Sequence, residues 1–179
     1  MNAARFFLAG AALLAASGIA AGVGAQTAVP PPSVASSQAP LSHAAFLKKA
    51  TIGNRYEIAA GELAAANGAD AKVKAFGRMM VSDHGTALKE LEAASQSMNA
   101  AVPAQPALDP ERQARLDSLK ARKGAEFDAA YKADMRKAHD DTLAMLKAYQ
   151  KSGTSEKLKA WALKVMPTVQ KHRNTIYAM

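Results

Sequence analysis

The chain has 179 residues, no cysteine, and an excess of Lys and Arg that gives a net charge of +8. That length allows one domain with a real hydrophobic core, and the absence of cysteine excludes a disulfide framework and a lipid-modified N-terminal cysteine. The basic residues occur in nothing longer than pairs such as Lys48-Lys49 and Arg122-Lys123, with few aromatics between them. This excludes a nucleic-acid platform and leaves a solvated basic surface with affinity for anionic envelope components.

The N-terminus carries one basic residue, Arg5, then an apolar run from Phe6 to Ala16, then small residues ending in Val23-Gly24-Ala25. This pattern predicts a secretory signal peptide over 1–25, cut after Ala25, and a periplasmic or secreted location. The alternative is a retained membrane anchor, which the Ala- and Gly-rich composition disfavours. Residues 26–41 contain Pro30-Pro31-Pro32 among Ser, Ala and Val. They cannot bury a core and are expected to be a flexible spacer. The folded domain is then 42–179.

Within it the composition is Ala-rich, with almost no β-branched runs and no strand signal, so helices are expected throughout. The first starts at Ser42, an N-cap residue, and ends near Asn67-Gly68. Its apolar stripe holds Phe46, Ala50, Gly53, Glu57, Ala60 and Ala64 at three- and four-residue spacing. The second is capped by Asp70 and runs to about Asn99, with Val73, Phe76, Gly77, Met80, His84, Leu88 and Leu91 on one face. Residues 101–110 hold three prolines and form a loop. Asp109 and Pro110 then open a short helix as cap and first-turn residue.

Gly124 separates that helix from a long one over about 125–151, whose face is Tyr131, Met135, His139, Leu143, Leu146 and Tyr149. Ser152-Gly153 ends it, and Thr154 or Ser155 caps the last helix. This shows Leu158, Trp161, Val165, Val169, His172 and Ile176, with Pro167 inside it as an expected kink. Short links within each pair of long helices and a long link between the pairs predict an all-α fold. Its form is an antiparallel four-helix bundle of ferritin-like order, with a longer middle crossover carrying the short helix.

Each long helix therefore places one ionisable residue on its apolar stripe: Glu57, His84, His139 and His172. Such groups cost free energy unless they find partners, and bundle cores build metal sites from facing helices in this way. Three imidazoles and a carboxylate suit one transition-metal ion, Zn, Cu, Ni or Fe. Di-iron bundles use Glu-x-x-His pairs. Here Val81, Arg136 and Val169 stand three residues before the histidines, so the bridging carboxylates are missing and di-iron chemistry is not expected. Asp83 and Asp140 flank their histidines but point about 100° away around the helix, as supporting or inter-helix partners. The alternative is a buried polar network that fixes packing register without any ligand, using Tyr131, Tyr149 or the aspartates. His43 is expected to be solvated. The methionines are expected to be core filler, and Gly53, Gly61 and Gly77 to allow close helix approach. No Ser-His-Asp arrangement, Cys nucleophile or Gly-rich phosphate loop is present.

Several segments match a known pattern. Phe46-Leu47-Lys48-Lys49-Ala50, Gly53-Asn54 and Tyr56-Glu57-Ile58 form its opening. Val73 to Met80 followed by Asp83-His84, Phe127 to Tyr131 leading to His139-Asp140, and Leu158 to Ala162 followed by Pro167 and His172 complete it. Together they resemble the exported bacterial family known as domain of unknown function 4142. The resemblance spans residues 42–177. It implies a ferritin-like bundle and an envelope location, marks Glu57, Asp83, His84, His139 and His172 as the family's polar positions, and implies no particular activity. The expectation is a non-enzymatic envelope protein, binding a metal and acting in stress tolerance. The alternatives are a structural or partner-binding bundle and a mononuclear metalloenzyme.

Overall fold

The computed structural model describes residues 41–100 and 106–179. The expected signal peptide and nearly all of the spacer lie outside them. Five helices follow in order: α1 (His43–Asn67), α2 (Ala71–Gln96), α3 (Pro110–Lys120), α4 (Gly124–Ser152) and α5 (Glu156–Tyr177). No strand occurs among the described residues, and none of their helices is long and apolar enough to cross a membrane.

The ends of the helices follow local chemistry. Ser42, Asp70, Asp109 and Ser155 each accept a hydrogen bond from a first-turn amide, at 3.2, 2.8, 2.9 and 3.3 Å. Pro110 occupies the first turn of α3. Lys123 makes no side-chain cap to α4; instead Gly124 takes φ +62°, a conformation glycine adopts at no steric cost. α5 continues through Pro167, which lies on its exposed side, where water can replace the missing amide.

The four long helices form a helical bundle in which α1 packs on α2 and α4, and α5 packs on α2 and α4. α1 and α2 approach closely at Gly61 and Gly77. A Cβ at either would lie 2.7 or 2.6 Å from the other's carbonyl oxygen. Gly53 differs from expectation: nothing lies within 4 Å of where its Cβ would be. The three-residue turn between α1 and α2 is held by buried Asp128 of α4, which accepts from the amides of Ala69 (3.1 Å) and Asp70 (2.8 Å). α3 lies against α1 and α4. There Arg115 donates to Asp134 (2.6 Å), which also accepts from the Tyr56 hydroxyl.

The core is two apolar clusters. One, toward the α1–α2 turn, contains Ala60, Phe76, Met80, Phe127, Tyr131, Met135 and Ile176. The other contains Phe46, Ala50, Leu91, Leu143, Leu146, Tyr149, Trp161 and Val169. In it Phe46 stacks on Tyr149, ring centroids 3.8 Å apart, and the Trp161 indole donates to the Ala87 carbonyl. Where the sequence of α2, α4 and α5 passes from one cluster to the other it crosses a buried histidine, His84, His139 or His172, and α1 carries buried Asn54 and Glu57 at the same passage.

Candidate metal centre

Glu57, His84, His139 and His172 are all buried in the layer between the clusters, and His139 and His172 are fully so. Heptad-like placement explains why. Each histidine stands four residues from a core side chain on its own helix: Met80 before His84, Met135 before His139, Ile176 after His172. A stripe that buries those side chains carries the histidines inward with them. The three rings form a near-equilateral group, with centroids 5.8, 5.4 and 5.5 Å apart. One ring nitrogen from each lies within 4.8 Å of those from the other two.

The partners on the outer side of each ring set its tautomer. His139 Nδ1 lies 2.8 Å from the Met135 carbonyl oxygen, which can only accept, so Nδ1 carries the proton. His84 Nδ1 faces Asn54 Oδ1 at 2.9 Å and Glu57 Oε2 at 3.1 Å. The Asn54 amide nitrogen donates to the Ala50 carbonyl, which orients the amide oxygen toward the ring. His172 Nε2 donates to Asp83 Oδ2 at 2.8 Å. The remaining nitrogens, His84 Nε2, His139 Nε2 and His172 Nδ1, are therefore lone-pair acceptors, and each is buried without a hydrogen-bond partner.

Burial pushes the His84 pKa down to about 4 and lowers that of His139, and it pushes His172 down to about 4 against the raising effect of its bond to Asp83. The rings are held neutral, the form that binds metals. Burial raises the Glu57 pKa, the nearby His139 opposing it. A buried cation would reinforce the first tendency, by favouring neutral rings, and reverse the second, by favouring an ionised carboxylate.

Glu57 joins the layer from the Nδ1 side, with Oε2 on His84 and Oε1 3.7 Å from His139 Nδ1. It thus backs two rings, and its Oε1 has no hydrogen-bond partner. Asp83 reaches across to the histidine of α5 and leaves its own neighbour alone. Asp140, expected beside it in role, is not brought to any histidine. It accepts from Arg173 and from the Tyr177 hydroxyl at 2.6 Å, on the half-exposed outer side of α4 and α5. Neither Tyr131 nor Tyr149 bonds a histidine, and both hydroxyls are without side-chain partners. His43 is exposed, near the Thr154 hydroxyl. The sequence reasoning missed Asn54, although its place one turn before Glu57 on a helix lined with apolar residues was an available signal.

A metal–nitrogen distance near 2.0–2.1 Å at tetrahedral angles puts ligand nitrogens about 3.3 Å apart. The group therefore has the right donors and has to contract modestly to coordinate. An all-helical bundle with a buried layer of three neutral histidines is what fold and site define. The chain belongs to the family described as Domain of unknown function (DUF4142), whose model matches residues 28–179. No curated protein and no solved structure matches it.

Proposed function

We propose that this protein is an exported helical bundle that binds one transition-metal ion through His84 Nε2, His139 Nε2 and His172 Nδ1. One observation carries the reading: three neighbouring buried imidazoles, a ring nitrogen of each within 4.8 Å of the others, each with one nitrogen unpaired and the other fixed by a partner. Lone pairs so placed repel one another, and a cation relieves that and the cost of the missing hydrogen bonds. Nitrogen ligands of this kind suit Zn²⁺ first, and also Cu²⁺, Ni²⁺ or Fe²⁺. Glu57 then serves as the carboxylate behind His84 and His139, and Asp83 as the one behind His172.

We read the bundle as ferritin-like. Gly68 at the end of α1 pairs with Gly124 at the start of α4, and the end of α2 meets the start of α5 through Lys157 and Ser97. The connection carrying α3 would then cross the bundle's length. Export is supported by the N-terminal pattern of Arg5, the apolar run and Val23-Gly24-Ala25, and the basic surface suits contact with anionic envelope components. The role we assign is binding, with no catalytic step.

A second reading, a metal-free polar network, has the burial of all four side chains in its favour. Elemental analysis of untagged protein from the periplasm separates the two, with thermal melts after chelator treatment. The metal reading expects one ion per chain. It also expects about 2.7 kcal/mol of stabilisation at metal concentrations near 100 times the dissociation constant, abolished in His139→Ala. Metal-free protein with a flat response to Zn²⁺ and Cu²⁺ refutes it.

A further inference from the structure

Asn54 is buried on α1, three residues before Glu57, and both ends of its side-chain amide are used. Its Nδ2 donates to the Ala50 carbonyl at 2.8 Å, and its Oδ1 lies 2.9 Å from His84 Nδ1. Turning the amide over would set its oxygen against the Ala50 carbonyl, acceptor against acceptor, so the backbone of α1 fixes which end meets the ring. An amide oxygen can only accept, so the His84 proton sits on Nδ1. Glu57 Oε2 stands 3.1 Å from the same nitrogen. A carboxyl group accepts as the carboxylate and donates as the acid, so Glu57 is compatible with either tautomer of His84 and selects neither.

We propose that Asn54 is a positioning residue of the metal centre: it holds the His84 proton on Nδ1 and thereby keeps Nε2 free to ligate. The proposal rests on the metal reading above for what that free nitrogen is for. The layer has another way to arrange its protons. His84 Nε2, His139 Nε2 and His172 Nδ1 are all buried without partners, and the His84 ring lies 5.8 and 5.4 Å from the other two, centroid to centroid. With its proton on Nε2, His84 would bring a donor to a layer of acceptors that lack one, and a buried acceptor without a donor costs free energy. That tautomer has no lone pair on Nε2 and closes it to a cation. His139 and His172 are barred from the equivalent change by acceptors on their other nitrogens, the Met135 carbonyl on Nδ1 and the Asp83 carboxylate on Nε2. For His84 the amide of Asn54, itself turned by the Ala50 carbonyl, does the same. A buried amide on a helix face of apolar residues is costly unless both its groups are bonded, and here the second bond is the one that reaches the ring.

The test uses the full chain, freed of metal and labelled with ¹⁵N at histidine, at about pH 8, where the rings are neutral. Protonated and bare ring nitrogens resonate far apart, so the spectrum reads the tautomer of each ring. Zn²⁺ affinity is measured alongside by competition with a chromophoric chelator. The parent protein is expected to carry the His84 proton on Nδ1. Asn54→Leu, the nearest apolar match in shape, should move that proton to Nε2 and weaken Zn²⁺ binding by about 10–100-fold. Asn54→Ala, which needs no extra room, should do the same. Glu57→Gln should leave the His84 proton on Nδ1. The proposal is overturned if the parent carries the proton on Nε2, if both Asn54 variants keep it on Nδ1, if Glu57→Gln moves it, or if the proton moves and Zn²⁺ binding does not weaken. A parent that shows the expected tautomers but binds no Zn²⁺ overturns the metal reading and with it the purpose assigned to Asn54, and the ring spectra tell that failure from a failure of Asn54 to hold the ring.

Discussion

Acid should destabilise the metal-free protein before ordinary carboxylates titrate. His84 and His172 hold pKa values of about 4 in the folded state against 6.5 in the open chain, and His139 is shifted the same way, each because burial disfavours the charged ring. A depressed histidine pKa means that the unfolded chain binds protons first. Stability is therefore full above pH 6.5 and is lost as pH falls toward 4, at about 1.4 kcal/mol per pH unit per histidine. At pH 5 each of the two costs on the order of 2 kcal/mol. His139 adds a further loss of the same sign. Glu57 works in the opposite sense: its raised pKa gives the folded state a proton the unfolded chain lacks, so acidification through that window favours folding and offsets part of the loss. His84 and His172 together give a loss on the order of 4 kcal/mol between pH 7.5 and 5, to which His139 adds and which Glu57 offsets; a total stability is typically about 5–15 kcal/mol. Urea titrations followed by helical circular dichroism, in chelator, at half-unit steps of pH, measure it directly. His84→Gln should flatten the slope by about one histidine's share. A midpoint that stays constant down to pH 5 in the parent protein would show that the rings are solvated or already charged, and the buried neutral layer would be wrong.

Three other perturbations test separate parts of the account. Asp83→Ala removes the acceptor on His172 Nε2, frees the ring's tautomer, and should weaken Zn²⁺ binding by about 10–100-fold in competition with a chromophoric chelator; Asp140→Ala, which touches only Arg173 and Tyr177, should leave it unchanged. Gly61→Ala drives a methyl group to 2.7 Å from the Gly77 carbonyl oxygen and should cost about 1–3 kcal/mol in chemical denaturation. Gly53→Ala meets open space and should gain up to about 1 kcal/mol; equal effects at the two positions would contradict the packing described. Asp128→Ala leaves the amides of Ala69 and Asp70 without their acceptor and should cost roughly 1–3 kcal/mol, with amide exchange in the α1–α2 turn rising if the assignment is right.

The histidine layer was legible in the sequence because helical periodicity is a strong constraint. Met80, His84 and Leu91, or Met135, His139, Leu143 and Leu146, cannot share a buried face unless the histidine is buried with them. The caps were legible for a similar reason: Ser42, Asp70, Asp109 and Ser155 act on amides two or three residues away, so local sequence contains both partners. What periodicity does not carry is the direction of a side chain at the edge of a stripe. Asp83 and Asp140 both flank a histidine, one before and one after. Only the neighbouring helix decides between them. Asp83 meets the buried His172, whereas Asp140 meets Arg173, a permanent cation with a matching fork of donors. Glu57, expected as a fourth ligand, stands against His84 Nδ1 and 3.7 Å from His139 Nδ1, and which nitrogen it faces depends on rotamers of two helices at once.

Gly53 shows the same limit from the other direction. Inside a helix, glycine reads equally as a seat for a neighbouring backbone and as a gap left open. Gly61 and Gly77 proved to be the first kind and Gly53 the second. The distinction needs the facing atoms, and they belong to α2 at Gly61 but to empty space at Gly53. A bundle that needed only packing would lose nothing by filling that space with alanine, the better helix former. Gly53→Ala and Gly61→Ala are therefore the same change in one helix set against two surroundings, and the opposite signs expected of them follow from the facing atoms alone.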